Sequence, residues 1–92
     1  MLTKKTTDQM LKDVYTLLAG IDNPQEMEYL LKDLCTNKEL EQMAQRVMAA
    51  RLLLEGKTYN QVIEKTDISS ATLSRVSSAV KYGEGYKKYL KP

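Results

Sequence analysis

The sequence predicts an all-α domain of five to six helices, and three observations carry that prediction. Apolar residues recur at spacings of three and four along most of the chain. Sequences suited to capping helix N-termini punctuate it at short intervals. No run alternates apolar and polar residues as a half-buried strand would, and neither an internal repeat nor a low-complexity segment interrupts the pattern.

The elements follow in order. After a polar start, Thr6 or Thr7 is placed to cap a first helix, whose apolar side is Met10, Leu11, Val14, Leu17, Leu18 and Ile21. Gly20 and Asp22-Asn23-Pro24 end it. Asn23 is then a good N-cap, Pro24 suits the first helical position, and Glu26 stands where a capping-box carboxylate belongs. The second helix has Met27, Leu30, Leu31 and Leu34 as its stripe. Thr36-Asn37-Lys38-Glu39 repeats the capping pattern and opens the longest helix, over about 37–55. Leu40, Met43, Ala44, Val47, Leu53 and Leu54 are its expected apolar contacts. Met48, Ala50 and Leu52 widen that surface, so the helix is expected to be covered on two sides. Gly56 is suited to a left-handed C-cap. Thr58-Tyr59-Asn60-Gln61 is a third capping box, opening a short helix over 59–66 with Val62 and Ile63 inward. Ser69 or Ser70 caps the next, with Leu73, Val76 and Val80 on its inner face. Gly83 and Gly85 break it, and Tyr86, Tyr89 and Leu90 are expected to form a last short helix or docked tail that packs against the body or the partner subunit, with the lysines outward.

Ninety-two residues make one domain. Without Trp or Phe, its core must come from Leu, Ile, Val, Met and Tyr, and it is thin. A chain of this size gains the missing burial from a symmetric partner, so a homodimer is expected. The formal net charge of +2 is unevenly spread. Residues 56–92 hold seven Lys/Arg against three acids, and residues 1–55 hold seven against nine. The basic end suits a face turned toward a polyanion. Cys35 is the single cysteine and His is absent, which excludes a disulfide framework within the chain, His-ligated metal sites and His-based triads. No cofactor is implied. With no signal-peptide run and no stretch of membrane-spanning length, the expectation is a cytoplasmic protein with no membrane partner, Cys35 being a small buried residue.

The stretch from Gly56 to Lys81 carries the function. A short amphipathic helix, a tight turn and a second helix outline a helix-turn-helix, with Val62, Ile68, Leu73 and Val76 at the spacing such a pair requires. Two residues depart from the usual pattern. Ile63 stands where a small residue often allows close approach, and Asp67 where Gly often takes a left-handed conformation, although Asp tolerates that region. Outside its apolar stripe the second helix is small and hydroxylated. Small side chains admit a helix deep into the major groove, and hydroxyls bond phosphates or base edges. Ser is a mediocre helix former, so five serines in ten residues ask for a reason beyond solvation. The expected DNA-binding residues are Thr58, Lys65, Ser69, Ser70, Ala71, Thr72, Ser74, Arg75 and Lys81.

CTNKELEQMAQRV, the LLLEG ending and ISSATLSRVSSAVK, with A-T-L-S-R the most specific part, resemble the Trp repressor family and within it the smaller TrpR-related YerC/YecD-type group. The resemblance covers Thr36 to Lys81, about half of the chain; the first two helices match in placement and apolar pattern only. It implies an intertwined homodimer with a reading head on each subunit, residues 1–55 forming the scaffold, 56–81 the head and 82–92 the tail. In tryptophan-sensing members a Thr before the long helix and an Arg on the reading helix hold the ligand carboxylate, and a second Arg stacks on the indole. Those positions are Thr36, Arg75 and Arg46 here. The next residue, a Gly in those members, is Val76, and a Ser three further on is Ala79. A branched side chain there is expected to fill the ligand's space, at a cost of about 1–3 kcal/mol. Tryptophan is therefore not expected as corepressor, and Arg46 is left to pair with Glu39 or Glu41 while Arg75 is released to DNA; a different small effector stays open.

Two other classes compete. An enzyme would draw on Glu39, Glu41, Glu55 or Glu64 with Tyr59 or Lys57, but no pair has a spacing that asks for catalysis and no phosphate loop is present. A helical dimer that binds protein instead of DNA is the stronger alternative. Single-strand stacking by Tyr86-Lys87-Lys88-Tyr89 rests on too few residues.

Overall fold

The computed structural model describes residues 3–91, and they form six helices with no strand among them: α1 (Lys4–Ala19), α2 (Pro24–Leu34), α3 (Asn37–Leu54), α4 (Tyr59–Thr66), α5 (Ser70–Tyr82) and α6 (Gly85–Tyr89). They fall into two compact units, one ending at Thr36 and one beginning at Asn37. The second takes in α3, which the sequence groups with the N-terminal scaffold.

The first unit holds α1 and α2. The cap of α1 is Thr3, not Thr6 or Thr7. The Thr3 hydroxyl oxygen accepts the Thr6 N–H at 3.1 Å, and the Thr7 hydroxyl donates to the Thr3 carbonyl at 3.1 Å, so the later threonines complete a turn begun earlier. At α2 the Asn23 side chain accepts from the N–H groups of Gln25 (2.9 Å) and Glu26 (3.1 Å), with Pro24 at the first position. Cys35 closes the helix through its N–H to the Leu31 carbonyl and is only partly buried. On the solvent side, Lys32 lies 2.7 Å from Glu28; its hydrogen bond and charge hold that carboxyl below the usual range, and an exposed pair of this kind contributes little to stability. Neither helix fully buries a side chain. Val14, Leu18, Leu30 and Leu31 are half-buried, while Met10, Leu11, Leu17 and Leu34 remain substantially exposed.

The second unit contains the core. Ala49, Ala50 and Leu52 from α3, Val62 from α4, Ile68 from the turn, and Leu73 and Val76 from α5 form one buried cluster, with Leu53, Ile63, Val80, Tyr86 and Leu90 packed around it. The deepest part of α3 is the alanine pair, each 0% exposed, whereas Met43, Val47 and Met48 lie open. Small side chains let helices approach closely, and of the larger α3 residues only Leu52 is buried with them among the described residues. Ile63 fits at the core margin, where its bulk needs no gap.

Gly56 ends α3 with φ 89°. Its N–H reaches the Leu53 carbonyl and the Lys57 N–H the Leu52 carbonyl, both at 3.0 Å, the Schellman arrangement. Gly83 ends α5 for a steric reason, since a Cβ there would lie 2.7 Å from the Ala79 carbonyl oxygen. Beyond it Tyr86 and Leu90 dock on the core, and Lys87 Nζ donates to the Lys81 carbonyl at 2.9 Å, placing a cation at the negative end of α5. Tyr89, expected against the body or a partner subunit, does not pack on the body. It is 77% exposed, with the Lys88 ammonium 5.5 Å from its ring centre.

Leu73 is among the largest fully buried side chains. Leu73→Ala is expected to destabilise the protein by about 2–5 kcal/mol in urea denaturation followed by circular dichroism.

Candidate nucleic-acid interface

The pair α4–α5 is built from its caps inward. Thr58 accepts the Gln61 N–H at 3.2 Å while the Gln61 side chain accepts the Thr58 N–H at 2.9 Å, a closed capping box that sets where α4 starts. At the other end Asp67 takes φ 60°, ψ 21°, and its N–H bonds the Ile63 carbonyl at 2.8 Å. The left-handed turn is thus made without glycine. Thr66 ties it down, its hydroxyl donating to the Val62 carbonyl at 2.7 Å and accepting the Ile68 N–H at 3.3 Å. Ile68 then drops into the core and Ser69 caps α5, accepting the Thr72 N–H at 3.2 Å.

This geometry sorts the residues expected to meet DNA. Ser70, Ala71, Ser74, Arg75 and Lys81 are all exposed and recur at helical spacing on the side of α5 opposite Leu73 and Val76. Ser78, not among the residues expected to meet DNA, lies on the same exposed face; its distance of three from Arg75 and four from Ser74 is the signal that places it there. Thr72 is half-buried. The Ser69 hydroxyl accepts from the Thr72 N–H and donates to the Thr72 Oγ1 at 2.9 Å, so both its functions serve the cap. Thr58 and Lys65 are exposed on α4's flanks, Lys65 beside a shallow groove it shares with Glu41, Ala44, Gln45, Met48 and Thr66.

Arg46 and Arg75 come together. They line one polar cleft of about 430 Å³ between α3 and the start of α5, with Gln42, Gln45, Asp67, Ile68, Ser69 and Thr72. Thr36 is exposed and directly precedes α3. Val76 does not project into this cleft as the sequence suggested; it is 1% exposed and belongs to the core. Ile68 is common to the core and the cleft wall. Gln42 and Gln45 entered the site unforeseen, because a glutamine on a helix of mixed polarity carries no chemical signature in sequence.

The sequence profile of the Trp repressor family, described as Trp repressor protein, matches residues 9–92. The uncharacterized protein YerC of Bacillus subtilis (strain 168) is 34% identical over 83 residues, spanning 90% of this chain and 80% of YerC. A crystal structure of a "putative Trp repressor" from Staphylococcus aureus superposes with a TM-score of 0.85 at 28% identity, covering 89% of this chain and 83% of that one. With six helices in the family's arrangement and a match that runs nearly from end to end, the chain belongs to the Trp repressor family and is of the YerC-related type.

Proposed function

We propose that the protein is a sequence-specific DNA-binding transcriptional regulator, a repressor, that reads the major groove with α5. The observation that carries this reading is the exposed face Ser70, Ala71, Ser74, Arg75 and Ser78, small and hydroxylated around one guanidinium, on a helix capped at its start and seated on a rigid core. Small residues permit close approach to base edges, Arg75 is suited to a guanine edge or a phosphate, and Lys81 to a phosphate. The function is non-enzymatic, requires no cofactor and is exercised on double-stranded DNA in the cytoplasm.

The working form is a homodimer. Met43, Val47 and Met48 on α3 and Met10, Leu11 and Leu17 on α1 are between 37% and 47% exposed, apolar surface that a second copy would cover. A two-fold dimer would set two reading heads about one DNA turn apart on a symmetric site. Tryptophan is not the corepressor in this reading. This reading rests on the two sequence differences, Val76 where tryptophan-binding relatives carry a Gly and Ala79 where they carry a Ser, and not on Val76 lining the cleft, since it packs in the core.

Duplexes enriched by the protein from a random pool provide the test. Arg75→Ala is expected to weaken binding to them by about 1–3 kcal/mol and to relax preference at one position. Lys81→Ala should weaken all duplexes alike and reduce the salt slope by about 1. If the double variant binds as the native protein does, with no dependence on salt, the DNA reading fails and the protein-interaction alternative takes its place. Sedimentation equilibrium is expected to return twice the chain mass. Isothermal calorimetry with tryptophan is expected to show no saturable heat at micromolar protein.

A further inference from the structure

The core accounts for the adhesion of α5 to α3. On α3 its deepest members are the small Ala49 and Ala50, with Leu52 beside them, and apolar burial by itself is non-directional. A directional contact is present nearby. Gln45 Nε2 on α3 donates to the Thr66 carbonyl at 3.2 Å, a partly buried bond across 21 residues of sequence. Thr66 is the last residue of α4, so its carbonyl is one of the groups a helix end leaves without an intrahelical partner. The same residue holds the turn through its hydroxyl, to the Val62 carbonyl and from the Ile68 N–H. Its neighbour Asp67 is left-handed, and Ser69 starts α5. One amide on α3 therefore grips the point at which the chain changes direction into the reading helix. Gln45 also borders both hollows flanking that point, the Arg46–Arg75 cleft and the groove beside Lys65.

From this geometry we propose that Gln45 is the positioning residue of the reading head: by bonding Thr66 it sets the angle of α5 on α3, and so governs DNA affinity without contacting DNA. The inference rests on the DNA-binding reading above. A glutamate in its place is isosteric, but when ionised it sets a carboxylate oxygen against the Thr66 carbonyl, acceptor against acceptor; when protonated it regains a donor. A methionine keeps the length and has no donor at any pH.

The test uses full-length native protein, Gln45→Glu and Gln45→Met, with duplexes enriched by the native protein from a random pool, and follows fluorescence anisotropy against pH. Near pH 8 both variants are expected to bind about tenfold more weakly than the native protein, the scale of one lost hydrogen bond. As pH falls toward the glutamate range at about 4–5, the ratio of Gln45→Glu to native affinity should return toward one, while that of Gln45→Met stays low. The salt slope should be unchanged in both, since no phosphate contact is altered. A purely structural defect would not recover on protonation of one variant alone. Native-like affinity in both variants overturns the proposal, as does a changed salt slope or an equal pH profile in the two. Amide hydrogen exchange at Asp67–Ser69 separates this from failure of the DNA reading. If the native protein binds no duplex, faster exchange there in Gln45→Met still establishes the positioning contact, and unchanged exchange removes it.

Discussion

The close contact of α3 with α5 at Ala49 and Ala50 is the constraint on which the rest of the second unit depends. Leu73 and Val76 are fully buried in one cluster with the small Ala49 and Ala50 and with Leu52 of α3. With α5 held there by its apolar stripe, its other side has to face outward, and that side carries Ser70, Ala71, Ser74, Arg75 and Ser78. The exposed chemistry of α5 is thus a consequence of core packing. Val62 and Ile68 extend the same cluster into α4 and the turn, so the helix pair is braced from behind along its whole length.

Polar contacts add what burial lacks. Thr58, Thr66 and Ser69 each satisfy backbone groups at a helix end or in the turn with a short side chain that competes poorly inside a helix, and Asp67 closes α4 through its own N–H. This division of labour explains why the stretch is rich in hydroxyls for two different reasons. Ser69 and Thr66 shape the backbone, while Ser70, Ser74 and Ser78 remain on the surface. Composition alone merges the two groups, and only bond partners separate them.

The first unit poses the opposite situation. Two well-capped amphipathic helices bury no side chain completely, and apolar groups on α3 are left open beside a core that is itself small. Helix propensity and capping contribute about 1 kcal/mol at each site, too little to hold isolated helices of this length without tertiary packing. The proposed dimer would give such a chain the further burial it needs.

The sequence by itself determined the helices, the stop signals at Gly56 and Gly83, and the family, because these rest on local rules: apolar periodicity, N-cap chemistry, glycine at a left-handed or crowded position, and motifs contiguous in the chain. It also identified which face of α5 is outward, since period and burial agree there. It misplaced the first cap, because several threonines compete and only hydrogen bonds choose among them. It left Tyr89 to the body or to a partner subunit, because a five-residue helix after Gly83 has too few residues to define a face. The tertiary structure alone decided that the alanines of α3 lie deepest, that Arg46 and Arg75 share one cleft while Val76 stands in the core beside it, and that Gln45 reaches Thr66. Each of these is a relation between residues distant in sequence, set by how closely two helices approach and at what angle, and no local pattern encodes it.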